Sequence, residues 1–364
     1  MSKRKAGVPA PYDGRIAAFR AEMARARLDG YLVSNRMHQY WLTGFTGEDG
    51  YVLVTRRAVV LLTDGRFDEA ADIQAPYAKK VLRKVRTPEA NAKIISPYKL
   101  GRLGFDPGVM TVGDHIELAK RLRPTRLVSA GGLFGRLQTR KDAGELAAIR
   151  RAIDVAQKAF LKLRKWIRPG QTEREVAARL EYEMRMLGAQ GPSFPTIVAF
   201  GKNASLPHYE PGDVPLVEND PILIDWGAQV DWYTSDLTRM IWPAKPPRRL
   251  VEINRIVRTA HDRAIAAVRP GMKAEDLDNV AREVIRKAGY GPRFNHSLGH
   301  GMGLNVHEPP RVGMNSPSVI EPGMVFTIEP GIYLPGAGGV RIEDDVLVTE
   351  NGCEVLTTLA IEEP

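Results

Sequence analysis

The spacing of apolar residues along the first 135 positions alternates between two periods. Residues 16–23 have the three-to-four-residue spacing of an amphipathic helix, which we expect to end near residues 29–30, before the strand-like residues 31–33. Two later apolar runs, residues 51–54 and 58–62, flank a short polar turn and predict a β-hairpin. This alternation predicts an α/β domain with a mixed sheet.

The pattern changes between residues 135 and 141. Beyond this point, Leu146, Ile149, Ile153 and Phe160 recur at helical spacing and predict one long helix. A chain of 364 residues exceeds the usual limit for one hydrophobic core. We therefore expect two domains, residues 1–137 and residues 138–364.

The second part of the chain contains an internal repeat. The tripeptide Arg-Pro-Gly at residues 168–170 recurs at 269–271, and the Gly-Pro pair at 191–192 recurs at 291–292. A helical pattern lies between these points in each copy, and in the first copy Thr172 begins it as a capping box. The duplication predicts two βαβ-type halves packed face to face.

The composition is that of an ordinary globular protein, with 43% hydrophobic and 26% charged residues. A single cysteine, Cys353, excludes an internal disulfide, and we expect a cytoplasmic protein. No run of about 18 apolar residues suggests a membrane span. The basic start, Met1 to Lys5, is not followed by an apolar stretch of the signal-peptide type.

The net charge of +9 is unevenly distributed. Residues 1–140 have 25 Lys and Arg against 13 Asp and Glu, or +12, whereas the remainder has 27 against 30, or −3. The basic residues are scattered and no nucleic-acid-binding motif accompanies them. We interpret them as a solvated surface that could meet an acidic partner subunit, with polyanion contact as the alternative.

Five side chains in the second part of the chain are potential metal ligands: Asp225, Asp236, His300, Glu329 and Glu343. The first ends an apolar run, and the eleven-residue spacing to the second is compatible with two adjacent strands. The histidine lies between two glycines, which would let it approach an ion closely. The two glutamates flank a glycine-rich hairpin and could face each other across it.

Four carboxylates in one pocket would repel one another and raise one another's pKa values. Two divalent cations would neutralise their charge. Oxygen-rich ligation with one imidazole favours a hard ion, so we expect Mn²⁺, with Co²⁺ and Zn²⁺ as alternatives. No serine lies in a nucleophile-elbow pattern and Cys353 is far from these motifs, which disfavours a serine or cysteine hydrolase.

These motifs resemble those of the pita-bread metallopeptidases, the family of methionine aminopeptidase, aminopeptidase P and prolidase. Residues 193–198 and 206–209 resemble substrate-pocket segments of its proline-directed branch, and residues 296–303 and 306–308 resemble its histidine region. Residues 41–47 and 62–67 resemble the amino-terminal domain of the same branch. The resemblance implies an α/β (α+β) fold. A creatinase-like mixed-sheet domain would precede a pita-bread catalytic domain with an internal pseudo-twofold repeat.

The resemblance also implies how the ligands share two ions. Asp225 would bind one ion, and His300 and Glu329 would hold the second. Asp236 and Glu343 would bridge both.

Further residues match the family's substrate-contacting positions. His208 and His307 resemble non-ligand histidines that contact the substrate and the tetrahedral intermediate, and Arg341 can orient a ligating carboxylate. Phe194 is a candidate apolar wall for a proline ring, with core packing as the alternative. His296 could either line the pocket or serve in packing.

Other ionisable residues have weaker motif support. We expect Glu308, Asp344 and Asp345 to support the site or the fold without binding an ion. His38, His115 and His261 have no motif around them, and we expect them at the surface.

The resulting hypothesis is a dinuclear metallopeptidase that hydrolyses the bond preceding proline in Xaa-Pro dipeptides. An aminopeptidase P that accepts longer Xaa-Pro peptides is the alternative, since the first domain would decide how peptide termini are recognised. A creatinase-like protein or a non-catalytic binding protein is more remote, because such relatives lose ligands. The family suggests a homodimer or larger homo-oligomer, with no nucleic-acid partner.

Overall fold

The computed structural model describes residues 11–85 and 87–364. It divides into two compact units at Leu137 and Gln138. The basic start at Met1 to Lys5 lies outside the described residues. Among the described residues, no helix is long and apolar enough to cross a membrane.

The first unit is built on one six-stranded sheet. Its strands are β1 Gly30–Val33, β2 Gly50–Thr55, β3 Val59–Thr63, β4 Lys79–Leu82, β5 Arg102–Phe105 and β6 Arg126–Ser129. Their order is β4-β3-β2-β1-β5-β6, in which the pairs β1–β2 and β2–β3 are antiparallel and the other three are parallel. The mixed sheet predicted from the apolar pattern is therefore confirmed, as is the hairpin of β2 and β3.

Six helices accompany this sheet: α1 Tyr12–Arg25, α2 Arg36–Thr43, α3 Asp68–Gln74, α4 Thr87–Ile95, α5 Val112–Arg121 and α6 Leu133–Gln138. Helix α1 buries Ile16, Phe19 and Met23 on one face, as its spacing predicts. It ends at Arg25, earlier than expected. Arg27 has a φ of 55°, a left-handed conformation that a helix cannot continue through.

The second unit contains four helices: α7 Ala143–Trp166, α8 Glu173–Met186, α9 Arg248–Ala267 and α10 Ala274–Lys287. Its strands are β7 Gly191–Pro192, β8 Ile197–Phe200, β9 Ile222–Trp226, β10 Ala228–Val230, β11 Tyr233–Thr234, β12 Leu237–Ile241, β13 Gly299–Gly301, β14 Glu308–Val312, β15 Val325–Ile328, β16 Gly331–Leu334, β17 Gly338–Arg341, β18 Asp344–Val348 and β19 Cys353–Val355. The sheet orders are β11-β10-β7, β12-β9-β8, β14-β13-β15-β18-β19 and β16-β17.

The repeat found in the sequence recurs as a structural repeat within this unit. Helices α7 and α8 precede strands β8, β9 and β12, and helices α9 and α10 precede β13, β15 and β18. Equivalent backbone hydrogen bonds follow each Arg-Pro-Gly turn: Gly170 N–H donates to Leu216 O at 2.8 Å, and Gly271 N–H donates to Ile320 O at 2.8 Å. Both glycines have positive φ values, 88° and 84°.

The predicted βαβ order of each half is wrong. Every strand pair that the structure describes in the second unit is antiparallel, so neither half contains a parallel crossover. Each half is a helix pair followed by antiparallel strands. The helical spacing of apolar residues and the glycines that follow it predicted the helices correctly. These signals contain no information on strand direction.

This unit contains two apolar clusters, and the second includes Ile197 and Leu223 of the first half. In the first cluster, Trp226 stacks on Phe160 with 4.6 Å between ring centroids, and its indole N–H donates to Ala156 O at 3.0 Å. In the second, apolar residues of α9 and α10 pack with Leu298 and Phe326. The two halves are joined by backbone hydrogen bonds, including one in which the Glu343 N–H, between β17 and β18, donates to Thr238 O of β12 at 3.3 Å. The potential metal ligands gather around this junction.

Candidate metal centre

The first two carboxylates lie at neighbouring strand ends. Asp225 is on β9, opposite Thr238 of β12, and Asp236 immediately precedes β12. The connection between them contains the small β10–β11 hairpin. At its start, a Cβ on Gly227 would lie 1.8 Å from the carbonyl oxygen of Ser235. Only glycine therefore allows the chain to fold back closely enough to bring both carboxylates to one place.

His300 is the central residue of β13, and its flanking glycines have a role different from the one expected. A Cβ on Gly299 would lie 1.9 Å from Thr327 O, and one on Gly301 would lie 2.2 Å from Pro309 O. The glycines therefore allow neighbouring backbones to approach β13 from both sides. The close approach is between strands, and it fixes the backbone from which the imidazole extends.

Glu329 and Glu343 lie just beyond the two ends of the β16–β17 hairpin. Gly331 pairs with Arg341 in its ladder, and extending this register by two residues places Glu329 opposite Glu343. This arrangement corresponds to the one expected from the glycine-rich segment.

The five side chains converge in space. Ligand atoms of Asp236, His300 and Glu343 all lie within 4.8 Å of one another. The Nε2 atom of His300 is 3.6 Å from Asp236 Oδ2 and 3.4 Å from Glu329 Oε1. Asp225 lines the same cavity.

Burial controls the electrostatics of this cluster. It raises the pKa values of Asp236 and Glu343 well above their ordinary range, and neighbouring carboxylates raise them further. It also raises the pKa of Glu329 to about 8, and it lowers the pKa of His300 to about 4. Four largely buried carboxylates with one guanidinium, that of Arg341, beside a neutral imidazole form an environment that favours a bound cation.

The available lone pairs fit a divalent ion. The Nδ1 atom of His300 lies 3.2 Å from Gly301 O, so its N–H donates there and leaves Nε2 free for an ion. The buried Oδ1 atom of Asp225 has no hydrogen-bond partner among the residues that the structure describes. An acceptor-rich cluster with such unused lone pairs is suited to hard cations.

Hydrogen bonds from neighbouring residues orient the carboxylates. The Thr238 hydroxyl donates to Glu343 Oε2 at 2.6 Å, and the Thr327 hydroxyl donates to Glu329 Oε1 at 3.1 Å. The backbone N–H of Asp236 donates to Asp345 Oδ2 at 3.2 Å. Sequence reasoning did not assign roles to the two threonines, although both lie within two residues of a predicted ligand.

All ten residues predicted for the site line one cavity of about 560 Å³. They are Phe194, His208, Asp225, Asp236, His296, His300, His307, Glu329, Arg341 and Glu343. The apolar part of the wall includes the half-buried Phe194, the exposed Pro195 and the buried Ile197.

The non-ligand histidines occupy different positions in this cavity. The ring of His307 lies 4.2 Å from that of His300. The pKa of His307 is lowered mainly by burial and also by the charge of His208. His208 itself is exposed. His296 both lines the cavity and packs: its Nε2 lies 2.9 Å from the Tyr333 hydroxyl, and burial lowers its pKa to about 4.

Among the cavity residues that were not predicted for the site are Tyr333 and Arg311. The Tyr333 hydroxyl accepts a 2.8 Å hydrogen bond from Arg341 Nη1 in addition to its contact with His296. Tyr333 lies four residues after Glu329, a proximity that could have suggested it. Arg311 is exposed on the cavity wall, and its position depends on how β14 pairs with β13, which the sequence does not reveal.

The carboxylates not expected to bind an ion have other partners. Glu308 forms a buried ion pair with Lys141, with 3.0 Å between Oε2 and Nζ. Asp344 accepts from Arg239 Nη2 at 2.6 Å. Asp345 accepts the backbone N–H of Asp236, as described above.

The prediction that His261 lies at the surface is wrong. His261 is 1% exposed, and its Nε2 lies 3.1 Å from Asp344 Oδ2. It falls on the buried face of α9 with Ile253, Val257 and Ala264. The helical period of these apolar residues could have predicted its burial. His38 and His115 are both partly buried.

The convergence of acidic and imidazole side chains is the arrangement of a candidate metal centre. Residues 147–350 match Metallopeptidase family M24, and residues 15–138 match the Creatinase/Prolidase N-terminal domain. The chain belongs to metallopeptidase family M24.

Individual relatives span almost the whole chain. The Xaa-Pro dipeptidase of Pyrococcus horikoshii is 36% identical over 336 residues, which cover 92% of this chain and 94% of the relative. The structure of an Xaa-Pro dipeptidase from Bacillus anthracis has a TM-score of 0.93 at 35% identity, covering 96% of this chain and 99% of that one. An X-Pro aminopeptidase from Thermotoga maritima has a TM-score of 0.88 at 34% identity, with coverages of 94% and 99%.

Proposed function

We propose that this protein hydrolyses the bond preceding proline in Xaa-Pro dipeptides. The observation that carries the proposal is the convergence of all ten candidate residues on one cavity. Similarity to Xaa-Pro dipeptidases along almost the full chain supports the same substrate class.

Asp225, Asp236, His300, Glu329 and Glu343 would hold two divalent ions, with Mn²⁺ the expected metal because most of the donors are oxygens. When bound, the ions supply a water of lowered pKa and polarise the scissile carbonyl.

The chain's own residues position the substrate and the ligands. His307 and His208 would donate hydrogen bonds to the carbonyl oxygen as negative charge develops there. Arg341 holds Asp225 through a 2.5 Å hydrogen bond from Nη2 to Oδ2. Phe194 would provide an apolar wall for the proline ring, which has no N–H to be recognised.

Arg311 favours a dipeptide over a longer peptide. Of the two arginines in the cavity wall, Arg341 is buried and bonded to Asp225. Arg311 is exposed, and its guanidinium donates to Ser297 Oγ at 3.3 Å and to Met314 O at 2.5 Å. The free carboxylate of a dipeptide would lie within a few ångströms of the scissile bond, where a guanidinium could bind it through two hydrogen bonds.

Removal of the first residue from longer Xaa-Pro peptides is the second candidate, supported by the structural similarity to an X-Pro aminopeptidase. Metal analysis followed by assays on Ala-Pro, Ala-Pro-Ala and Ala-Ala would test both. We expect two ions per chain and cleavage of Ala-Pro. Preferential cleavage of Ala-Pro-Ala would favour the second candidate, and metal-free, inactive protein would reject both.

We further propose a cytoplasmic protein that forms a homodimer or a larger homo-oligomer. The single cysteine supports the compartment, and the family resemblance supports the assembly. Light scattering of the purified protein tests the second point. A monomer at micromolar concentration would contradict it.

A further inference from the structure

Glu173 is a fully buried carboxylate that does not line the candidate metal centre. Its Oε1 accepts from Phe200 N–H and from Asn203 Nδ2, both at 2.9 Å. Its Oε2 accepts from the Tyr209 hydroxyl at 2.7 Å and from Gly212 N–H at 3.2 Å. All four donors are neutral and belong to one segment, residues 200–212. One carboxylate therefore holds both ends and the middle of this segment.

The segment forms part of the cavity wall. Pro207, His208, Tyr209 and Glu210 all line the cavity. Pro207 O accepts a 3.4 Å hydrogen bond from Arg341 Nη1. The residues on either side of His208 are therefore held, one by Arg341 and the other by Glu173, whereas the His208 side chain is exposed.

Backbone bonds already fix the chain immediately after this segment. Glu173 N–H donates to Val214 O at 3.2 Å, and Leu216 N–H donates to Gln171 O at 2.8 Å. Arg174 N–H donates to Gly212 O at 3.0 Å. Because residues 212–216 are anchored without the carboxylate, the side chain of Glu173 acts mainly on residues 200–211.

A buried carboxylate without a cationic partner is expensive to maintain for packing alone. Its four hydrogen bonds and its position at the first residue of α8, where the helix dipole favours negative charge, offset that cost. Asp220 is the acidic group beside it, and its pKa is raised by burial and then by the charge of Glu173. The four hydrogen bonds of Glu173 are thus all directed at one segment of the chain.

We infer that Glu173 is a positioning residue for catalysis, which places His208 and the adjoining cavity wall against the substrate. The inference rests on the proposed role of His208. Glu173 itself touches neither the substrate cavity nor a metal ligand.

Replacing Glu173 by Gln in the full-length, metal-loaded protein tests the inference. The amide keeps the side-chain shape, but only its oxygen can accept hydrogen bonds. With that oxygen in the place of Oε1, the NH₂ group takes the place of Oε2 and faces the N–H of Gly212, where two donors meet without an acceptor. We expect kcat/KM on Ala-Pro to fall by about tenfold, within the ~100-fold loss that a misplaced catalytic group can cause. Metal content should be unchanged.

Glu175→Gln is the matched control. Glu175 lies in the same helical turn and undergoes the same change of charge, but it is exposed, and glutamine can replace glutamate in its capping box with Thr172. We expect its kcat/KM to stay close to that of the parent protein. An equal loss in both variants would overturn the inference.

A double variant separates positioning from general destabilisation. If Glu173 acts through His208, then Glu173→Gln should cause little further loss in a His208→Ala background. Losses that multiply in the double variant would overturn the inference and leave the role of His208 intact. A fully active His208→Ala protein would refute the proposed role of His208, and the inference with it.

Tyr209→Phe provides the test should Glu173→Gln fail to fold. It removes one hydrogen bond to Glu173 and keeps the ring next to His208. We expect a smaller loss of kcat/KM that again disappears in the His208→Ala background. A loss of equal size in both backgrounds would overturn the inference.

Discussion

Arg341 and Asp225 are joined by a 2.5 Å hydrogen bond from Nη2 to Oδ2, and both side chains are largely buried. The same guanidinium donates to the Thr238 hydroxyl at 3.0 Å and to the Tyr333 hydroxyl at 2.8 Å. One planar group therefore orients a candidate metal ligand, the threonine that supports Glu343 and a tyrosine of the cavity wall. The second carboxylate oxygen of Asp225 has no hydrogen-bond partner within the described part of the chain and remains available to an ion.

Arg341→Lys should therefore weaken metal binding although it preserves the charge. A lysine ammonium cannot reproduce three divergent hydrogen bonds from a rigid plane. We expect a loss of metal affinity of about 10–100-fold, the range found for residues that orient metal ligands. Titration with Mn²⁺ would measure it, with the exposed Arg255→Lys as control. Unchanged affinity would show that charge alone suffices.

Asp236→Ala and Glu343→Ala should each abolish turnover and release metal, since each is assigned to both ions. The metal-free variants should also resist heat better than the metal-free parent, because one repelling carboxylate is gone. Elemental analysis and thermal unfolding would measure the two effects. The exposed Glu350→Ala serves as control. Two tightly held ions in either variant would contradict the assignment.

Stability of the metal-free protein should fall as pH rises. The pKa of Glu329 is raised by burial from its ordinary 4.5 to about 8 in the folded state. Below pH 4.5 the Glu329 carboxyl is protonated in both the folded and the unfolded chain, so it does not make the free energy of unfolding depend on pH. Between the two values the unfolded chain loses its proton first, so the free energy of unfolding decreases. Urea unfolding at several pH values would show this slope, and Glu329→Gln should flatten it. If the free energy of unfolding of Glu329→Gln fell with pH as steeply as that of the parent protein, the pH dependence would come from other groups.

His307→Ala should retain the metal and lose turnover. Removing one hydrogen-bond donor to a developing oxyanion costs about 10²–10³-fold in kcat. Steady-state kinetics and metal analysis on the same sample would separate the two effects, with His115→Ala in the first unit as control. Release of metal would instead make His307 a ligand.

Phe194→Ala should reduce activity selectively on proline substrates. A lost apolar contact in a pocket is worth about 1–3 kcal/mol, so kcat/KM on Ala-Pro should fall about 10–200-fold. Metal content should be unaffected. The comparison with any residual activity on Ala-Ala is the control, since that substrate has no proline ring. An unaltered kcat/KM on Ala-Pro would return Phe194 to a packing role.

Local sequence signals predicted much of the fold and of the candidate site. The period of Ile16, Phe19 and Met23 gave helix α1, and the glycine-rich hairpin gave the opposition of Glu329 and Glu343. Such features depend on residues close together in the chain.

Features set by tertiary pairing were not predictable in the same way. The contact between Tyr333 and His296 joins residues 37 positions apart in the sequence, and the hydrogen bond between Thr238 and Glu343 joins residues 105 positions apart. Strand direction in the two halves also depends on tertiary pairing, and there the expectation was wrong. His261 is a different case, because its burial follows from the period of α9 and could have been predicted.

The division of ligands between the two halves has a consequence for biosynthesis. A ribosome adds Asp225 and Asp236 long before His300, which follows Asp236 by 64 positions. In a growing chain with only the first half complete, these two carboxylates are present without His300, Glu329 and Glu343. If the five candidate ligands bind the ions, the complete site can form only after the second half has been made and has folded against the first. Where the ion is scarce, newly made chains would remain in the metal-free form, whose stability is expected to fall as pH rises.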